Sequence, residues 1–491
     1  MLYQPVIGLE IHCELKTKTK MFCSCLNDPE ETQPNFNICP ICMGHPGTLP
    51  TINKRAVEMV IMVGRALNCE IAQETYFERK NYFYPDLPKG YQISQYAVPL
   101  CSGGYLKIPN TDRTIRITRI HLEEDTGKLL HEENSESSLI DFNRASIPLM
   151  ELVTEPDIHS AKEARQFAEE LQLILRYLGV SDADMEKGEM RVEVNISLSQ
   201  KSNLKSQNLG TKVEIKNLNS FRAVEKASEY EIDRQSKILD KGEKVIQETR
   251  GWDDIKGKTF SQRVKEQAND YRYFPEPDLP PFQLSNFALQ LSKSMPELPQ
   301  QKRERFQKEY GIGPKETEIL VQNKELADYF ENVISELKYW AKIKEVSRDK
   351  VSSLVKLAVN YLESDLLGIM KEKNTPIKDL KITPENFAEL ITILWQGEIS
   401  SRAGKDVLLE MFKTGADPTY IIKDKNLKQV SDEKAIEGIV KKIIKDNPKP
   451  VEDYKKGKEN ALQFLVGQVM KESKGKANPD KAREILKSLL K

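Results

Sequence analysis

Residues 6–15 read VIGLEIHCEL. Ile7, Leu9, Ile11, Cys13 and Leu15 form an unbroken apolar row, and the positions between them carry Glu10, His12 and Glu14. A period of two sends successive side chains to opposite faces, so the stretch reads as a strand with one core face and one polar face. Any sheet with one side in water shows such a face. Other stretches must decide whether it is also a site.

The design recurs. RVEVNISLS (191–199) sets Arg191, Glu193 and Asn195 against Val192, Val194, Ile196 and Leu198, and TKVEIKNL (211–218) brackets Glu214 between Lys212 and Lys216. Glu151 interrupts the apolar run SIPLMELV, so it either sits on an exposed strand face or is buried with a partner; unpaired there it would cost several kcal/mol, and it calls for a cation. RIHLEEDTGK places Glu123, Glu124 and Asp125 directly after a strand-like stretch. Oxygen donors of this kind suit Mg²⁺, which keeps waters and substrate phosphates as its other ligands. FERKNYFYPDLPKGYQISQ (77–95) adds Arg79, Lys80 and Lys89 among Tyr82, Phe83, Tyr84 and Tyr91, a mixture of cations and aromatic faces able to hold a nucleotide. The standard phosphate loops are missing: GWDDIKGKT (251–259) has five residues between its glycines where a Walker loop has four.

Four of the seven cysteines come as Cys23-Ser-Cys25 and Cys39-Pro-Ile-Cys42, a spacing that favours one tetrahedral, structural zinc ion over disulfides in a reducing compartment. Four thiolates would leave that ion no open position for catalysis. Cys13, Cys69 and Cys101 read as core thiols, and His45 as a loop histidine or a substitute ligand for the ion.

At 491 residues, with 39% hydrophobic and 30% charged, the chain is globular and long enough for about three domains. No run reaches the ~18 apolar residues of a membrane span, and the N-terminus lacks a basic region followed by an apolar one, which points to the cytoplasm. Residues 401–491 carry 21 Lys/Arg against 14 Asp/Glu, a basic end within a chain of net charge −1. Strand-like runs mix with a few helices up to about residue 290; one helix is expected over 160–179, from the Ser160/Glu163 capping box to Gly179. The fold class is therefore α+β rather than a regular βαβ alternation. Prolines crowd 275–300 and mark a boundary. Helical periodicity follows, and the end of the chain reads as a small helical tail whose last helix opens at Asn478 and Pro479.

Taken together, VIGLEIHCELKTKTKMFCSC, YFYPDLPKGYQISQY, RIHLEEDTGK, DFNRASIPLMELVTEPD, GTKVEIKNLNSF, QETRGWDD, DYRYFPEPDLPP and FLVGQVMKESKGKANP make the chain resemble the B subunits of the tRNA-dependent amidotransferases. Those enzymes convert Glu-tRNA(Gln) or Asp-tRNA(Asn) to the amidated form. The resemblance implies a cradle domain of antiparallel sheet with helices, related to the glutamine synthetase/guanido-kinase fold, over 1–292, with the zinc insertion near 23–42. An all-α helical domain over 293–410 and a small all-α, tRNA-binding tail over 411–491 would follow. It implies ATP- and Mg²⁺-dependent phosphorylation of the side-chain carboxylate, then displacement of phosphate by ammonia. Carried over by residue, the Mg²⁺ site falls on Glu10, His12, Glu124 and Glu151. Arg79, Lys80, Lys89 and Lys216 become candidates for phosphate contacts or the ammonia path, and Glu193 for the same path or for a supporting or metal carboxylate. The cysteine pairs resemble those of zinc-containing members. Ser146 stands where the family commonly has glycine, and RVEVN replaces the more usual RCDAN.

The chain shows no glutaminase machinery, so the resemblance implies a heterotrimer with a glutaminase of the A type and a small protein of the C type, joined by an ammonia channel. In the tail, Leu462, Leu465, Val466 and Val469 form a packing stripe, and Lys455, Lys456, Lys458, Lys471, Lys474 and Lys476 stay free for tRNA phosphates. A noncatalytic zinc-containing scaffold that binds tRNA and docks a glutaminase is the alternative; it would have no need of the acidic strands.

Overall fold

The computed structural model describes residues 3–131, 137–200, 210–264, 270–284, 295–428, 433–473, 477 and 479–490. The chain folds into two compact units, Met1–Gln300 and Gln301–Lys491.

The first unit is built on a ten-stranded sheet. Its long strands are β1 (Tyr3–Glu14), β4 (Thr114–Glu124), β5 (Pro148–Thr154), β6 (Met190–Gln200), β7 (Val213–Leu218), β8 (Glu248–Asp253) and β9 (Lys258–Val264); β2 (Glu78–Asn81) and β3 (Tyr91–Ser94) belong to a separate three-stranded sheet. The order across the main sheet is β9-β8-β7-β6-β1-β5-β4, followed by short edge strands at Cys101–Ser102 and Glu70–Ile71. All pairs of long strands are antiparallel except β7/β8, which are parallel because helix α3 (Phe221–Asp240) carries the chain between them. The sheet is thus mixed rather than purely antiparallel.

The apolar row of the opening strand faces one core. Ile7, Leu9, Ile11 and Cys13 join Ile120 and Leu122 of β4, Met150 and Leu152 of β5, Val192 and Val194 of β6 and Ile215 of β7. Over them pack α1 (Lys54–Ala66), α2 (Ala161–Leu178) and α3 through residues such as Val60, Phe167, Leu171 and Val224. Each large apolar side chain so buried contributes ~1.5–3 kcal/mol. α2 runs as its sequence predicts: the Ser160 hydroxyl accepts the Glu163 N–H at 3.2 Å, and Gly179 ends it at φ 67°. With helices covering one face, the other is left for the polar residues.

The second unit is helical among its described residues, from Pro299–Tyr310, which enters it across the boundary, to Pro479–Leu490. Near its end, Ile436, Val440, Leu462, Leu465, Val466, Val469, Ala482 and Leu486 form a hydrophobic cluster, which absorbs the stripe read from the sequence. The last helix begins at Pro479; Asn478, expected as its cap, lies outside the described residues.

Candidate active site

β1 lies between β5 and β6, and register decides what meets on its polar face. His12 stands opposite Glu151 on one side and Arg191 on the other; Glu10 stands opposite Glu193. β4 then brings His121 opposite Glu151, and β7 brings Glu214 opposite Asn195. Three overlapping donor sets result: Glu10, His12 and Glu151; His121, Glu123 and Glu151; and Glu10, Glu193 and Glu214, with the ligand atoms of each set within 4.8 Å of one another. His12 Nε2 is 3.3 Å from Glu151 and 3.7 Å from Glu123, and His121 Nε2 is 3.5 Å and 3.6 Å from the same two carboxylates.

This crowding is electrostatically tense. Burial works against the His12 imidazolium, but the hydrogen bond to Glu151 and the nearby carboxylates prevail and hold its pKa up at about 9. Burial likewise opposes ionisation of Glu151 and Glu123, yet the two histidines and Lys80 bring both below the ordinary carboxylate range. Glu10 goes the other way, raised first by burial and then by Glu151 and Glu193. Lys216 Nζ, 2.8 Å from Glu193, and Arg119, 3.5 Å from Glu151, supply further positive charge. Buried, convergent oxygen donors with imidazole beside them fit a hard divalent cation, which would relieve the repulsion that raises Glu10.

The structure does not bring Glu124 into this group. On β4, Ile120 and Leu122 face the core, so Glu124 shares their parity while His121 and Glu123 share the polar face. Glu123 and His121 therefore stand where Glu124 was expected. The Glu124 carboxylate instead takes Lys89 Nζ at 2.7 Å and the Ile93 N–H at 3.0 Å. This pair lines a cleft of about 210 Å³ together with Arg79, Tyr91, His45 and Ser146. Arg79 is committed within it: its guanidinium donates twice to buried Glu276, at 2.7 and 2.8 Å, and lies 4.2 Å over the Tyr91 ring. Lys80, by contrast, holds its charge against Glu123 and Glu151, and its ammonium lies 5.3 Å over the Tyr271 ring.

Glu14, for which the alternation alone offers only a wet face, is instead drawn against Asp125. Burial first, and then that neighbour, lift its pKa to about 8. Asp125 stays down at about 2 despite its burial, because Arg191 and Arg144 face it, and Arg191 donates to it at 2.8 Å. The site thus contains Glu123, His121 and Glu214 beyond the residues first singled out for the metal, and all three were marked by strand parity.

Cys23, Cys25, Cys39 and Cys42 converge within 4.8 Å. The Cys39 N–H donates to Cys42 Sγ at 3.1 Å, and the hydrogen bond from Cys23, aided by Lys20, takes the Cys42 thiol down to about 5 in spite of burial. Four sulfurs with one held as thiolate suit tetrahedral zinc. The loop that follows abuts the cleft: at Gly44, φ 66°, a Cβ would come within 2.5 Å of Lys89 Cγ. In the second unit Lys455, Lys456, Lys458 and Lys471 are exposed; Lys458 pairs with Asp453 at 3.0 Å and Lys456 with Glu452 at 3.5 Å. Lys474 and Lys476 lie outside the described residues.

Comparison with known proteins identifies the family. The family description "GatB/GatE catalytic domain" matches residues 5–290, and "GatB domain" matches residues 342–490. The chain is 49% identical to the aspartyl/glutamyl-tRNA(Asn/Gln) amidotransferase B subunit of Persephonella marina, with both chains covered in full. It is 48% identical to the protein of the same name from Thermotoga maritima, over 100% of this chain and 99% of the relative. By length, identity and domain content, the chain belongs to the family of aspartyl/glutamyl-tRNA(Asn/Gln) amidotransferase B subunits.

Proposed function

We propose that this chain is the ATP-dependent subunit of a glutamine-hydrolysing amidotransferase: it phosphorylates the side-chain carboxylate of Glu-tRNA(Gln), Asp-tRNA(Asn) or both, and amidates the resulting acyl phosphate. The observation that carries the proposal is the polar face of the sheet, where five carboxylates, two histidines and Lys80 converge. A noncatalytic scaffold would gain nothing from holding such charges together against their repulsion.

A carboxylate is a poor electrophile because its oxygen leaves badly, and an acyl phosphate supplies the leaving group. Glu10, His12 and Glu151, with Glu123, Glu193 and Glu214 beside them, would hold Mg²⁺, which when bound neutralises phosphate charge during transfer. Lys80 would face the transferred phosphoryl group, and Lys216 would hold Glu193 in place through their ion pair. Lys89 and Glu124 would line the route of ammonia from a glutaminase of the A type, with a small protein of the C type completing a cytoplasmic heterotrimer and an ammonia channel joining the active sites. Residues 1–292 would form the synthetase-like cradle, 293–410 a helical domain, and 411–491 the tRNA-binding tail; zinc on the four cysteines would be structural.

The test is reconstitution with the glutaminase partner, ATP and Mg²⁺, following γ-phosphate transfer and amidation on both misacylated tRNAs. ATP- and Mg²⁺-dependent amidation of at least one is expected. Amidation that proceeds without ATP would refute the kinase role.

A further inference from the structure

Beside the carboxylate face stands an aromatic wall that the reaction chemistry leaves unexplained. Residues 271–275 run along β2, with Phe274 paired to Arg79 and Pro275 to Glu78, and the Asn81 N–H donates to the Tyr271 carbonyl at 2.9 Å. This sets Tyr271 and Tyr273 next to Lys80, whose ammonium is attracted by Glu123 and Glu151. Tyr273 stacks on Tyr96 with ring centroids 4.5 Å apart and planes 12° from parallel, while Tyr271 meets Tyr273 edge-on at 6.0 Å. Tyr96 is nevertheless 56% exposed, although Tyr273 stacks on its ring.

An open aromatic ring at the surface normally lies on a compliant backbone. Here the backbone is pinned: buried Glu78 accepts the N–H groups of both Tyr96 and Ala97 at 2.7 Å. A buried carboxylate and a stacked partner are thus both used to hold a solvent-facing tyrosine still, which is costly for a residue with no ligand. A flat, rigid, half-covered ring beside a phosphate-handling site has the chemistry of a nucleobase platform, since every base carries a π-face.

We propose that the Tyr96–Tyr273 stack binds an adenine ring, that of ATP or that of the 3′-terminal adenosine of the aminoacyl-tRNA, and so positions one of the reaction's two adenine-bearing substrates. The inference rests on the function proposed above. In the assembled complex, Tyr96→Ala and Tyr96→Leu are expected to weaken equilibrium binding of one of them about 10-fold, and Tyr96→Phe to bind as the wild type does, because stacking needs the ring and not the hydroxyl. Filter binding of radiolabelled ATP and, separately, of aminoacyl-tRNA tells the two sources of adenine apart. Unchanged binding of both in Tyr96→Ala would overturn the platform, and so would a Tyr96→Phe variant as weak as Tyr96→Ala. A wild-type complex that binds both substrates but transfers no phosphate would instead defeat the proposed reaction and leave the platform standing.

Discussion

His12 Nε2 lies 3.3 Å from Glu151 Oε2, and the antiparallel register of β1 and β5 sets their Cα atoms directly opposite each other. The pair is fixed by backbone hydrogen bonding rather than by loop placement, so isosteric changes test its charge and not its fold. Glu151→Gln is expected to lower amidation at least about 100-fold and to abolish most of the rise in Tm that Mg²⁺ gives the wild type. Glu10→Gln should raise the metal-free Tm by about 2–4 °C, because burial and then its carboxylate neighbours disfavour the charge on Glu10. Thermal scans with and without Mg²⁺ check both, and a wild-type Tm indifferent to Mg²⁺ would count against the cation site.

Ser146 sits at φ 69°, the left-handed region, held there by its N–H to the Asp125 carbonyl at 2.9 Å and by the Met21 N–H to its own carbonyl at 2.7 Å. Glycine at this position would remove a strain of ~1–2 kcal/mol. Part of that gain, ~0.5–1 kcal/mol, is lost to the freer unfolded chain. Ser146→Gly should therefore stabilise the protein by up to about 1.5 kcal/mol, and Ser146→Val should destabilise it by about 2 kcal/mol or more, read from urea midpoints.

The four converging cysteines predict one zinc per chain by elemental emission. Cys39→Ser should lose the ion and lower Tm by several degrees. Amidation should fall with it, since the loop around Gly44 walls the cleft holding Lys89. A stable, fully active Cys39→Ser protein without metal would show the cysteines to be incidental.

Glu331, in the second unit, receives Lys302 Nζ at 2.9 Å and Arg305 Nη2 at 2.6 Å. Burial alone would raise its pKa, but these two cations take it below the ordinary value. A depressed carboxylate stabilises the folded state above the unfolded pKa of ~4.3, and that contribution is lost as pH falls through the lower, folded value. Glu331→Gln should thus cost about 1–2 kcal/mol at pH 7, with the difference from wild type shrinking in acid below pH ~4. A difference constant from pH 7 to pH 3 would refute the assignment.

Deletion of residues 411–491 should weaken tRNA binding and flatten its salt dependence while glutamine hydrolysis by the complex continues. Unchanged tRNA affinity would remove the tail from the interface.

Much of this could be read from alternation. The core and polar faces of β1, β6 and β7, the α2 helix with both its ends, and the four-cysteine site follow from local spacing. Glu124 shows where borrowed motif positions lose to parity: in IHLEED, Ile120 and Leu122 already assign His121 and Glu123 to the polar face. What spacing could not supply were partners distant in sequence, such as Glu276 for Arg79 or Asp125 for Glu14, because sheet order and register are set by long-range pairing. The parallel β7/β8 pair was hidden for the same reason.

That β1 is central has a consequence for synthesis. Its neighbours are residues 148–154 and 190–200, so this strand is made long before either of its flanks. At ~5–20 residues per second on the ribosome, it waits for ~10–40 s as an apolar, unpaired edge. Long-range pairing of this kind makes folding slow and leaves the apolar row of VIGLEIHCEL exposed to aggregation while the chain is nascent.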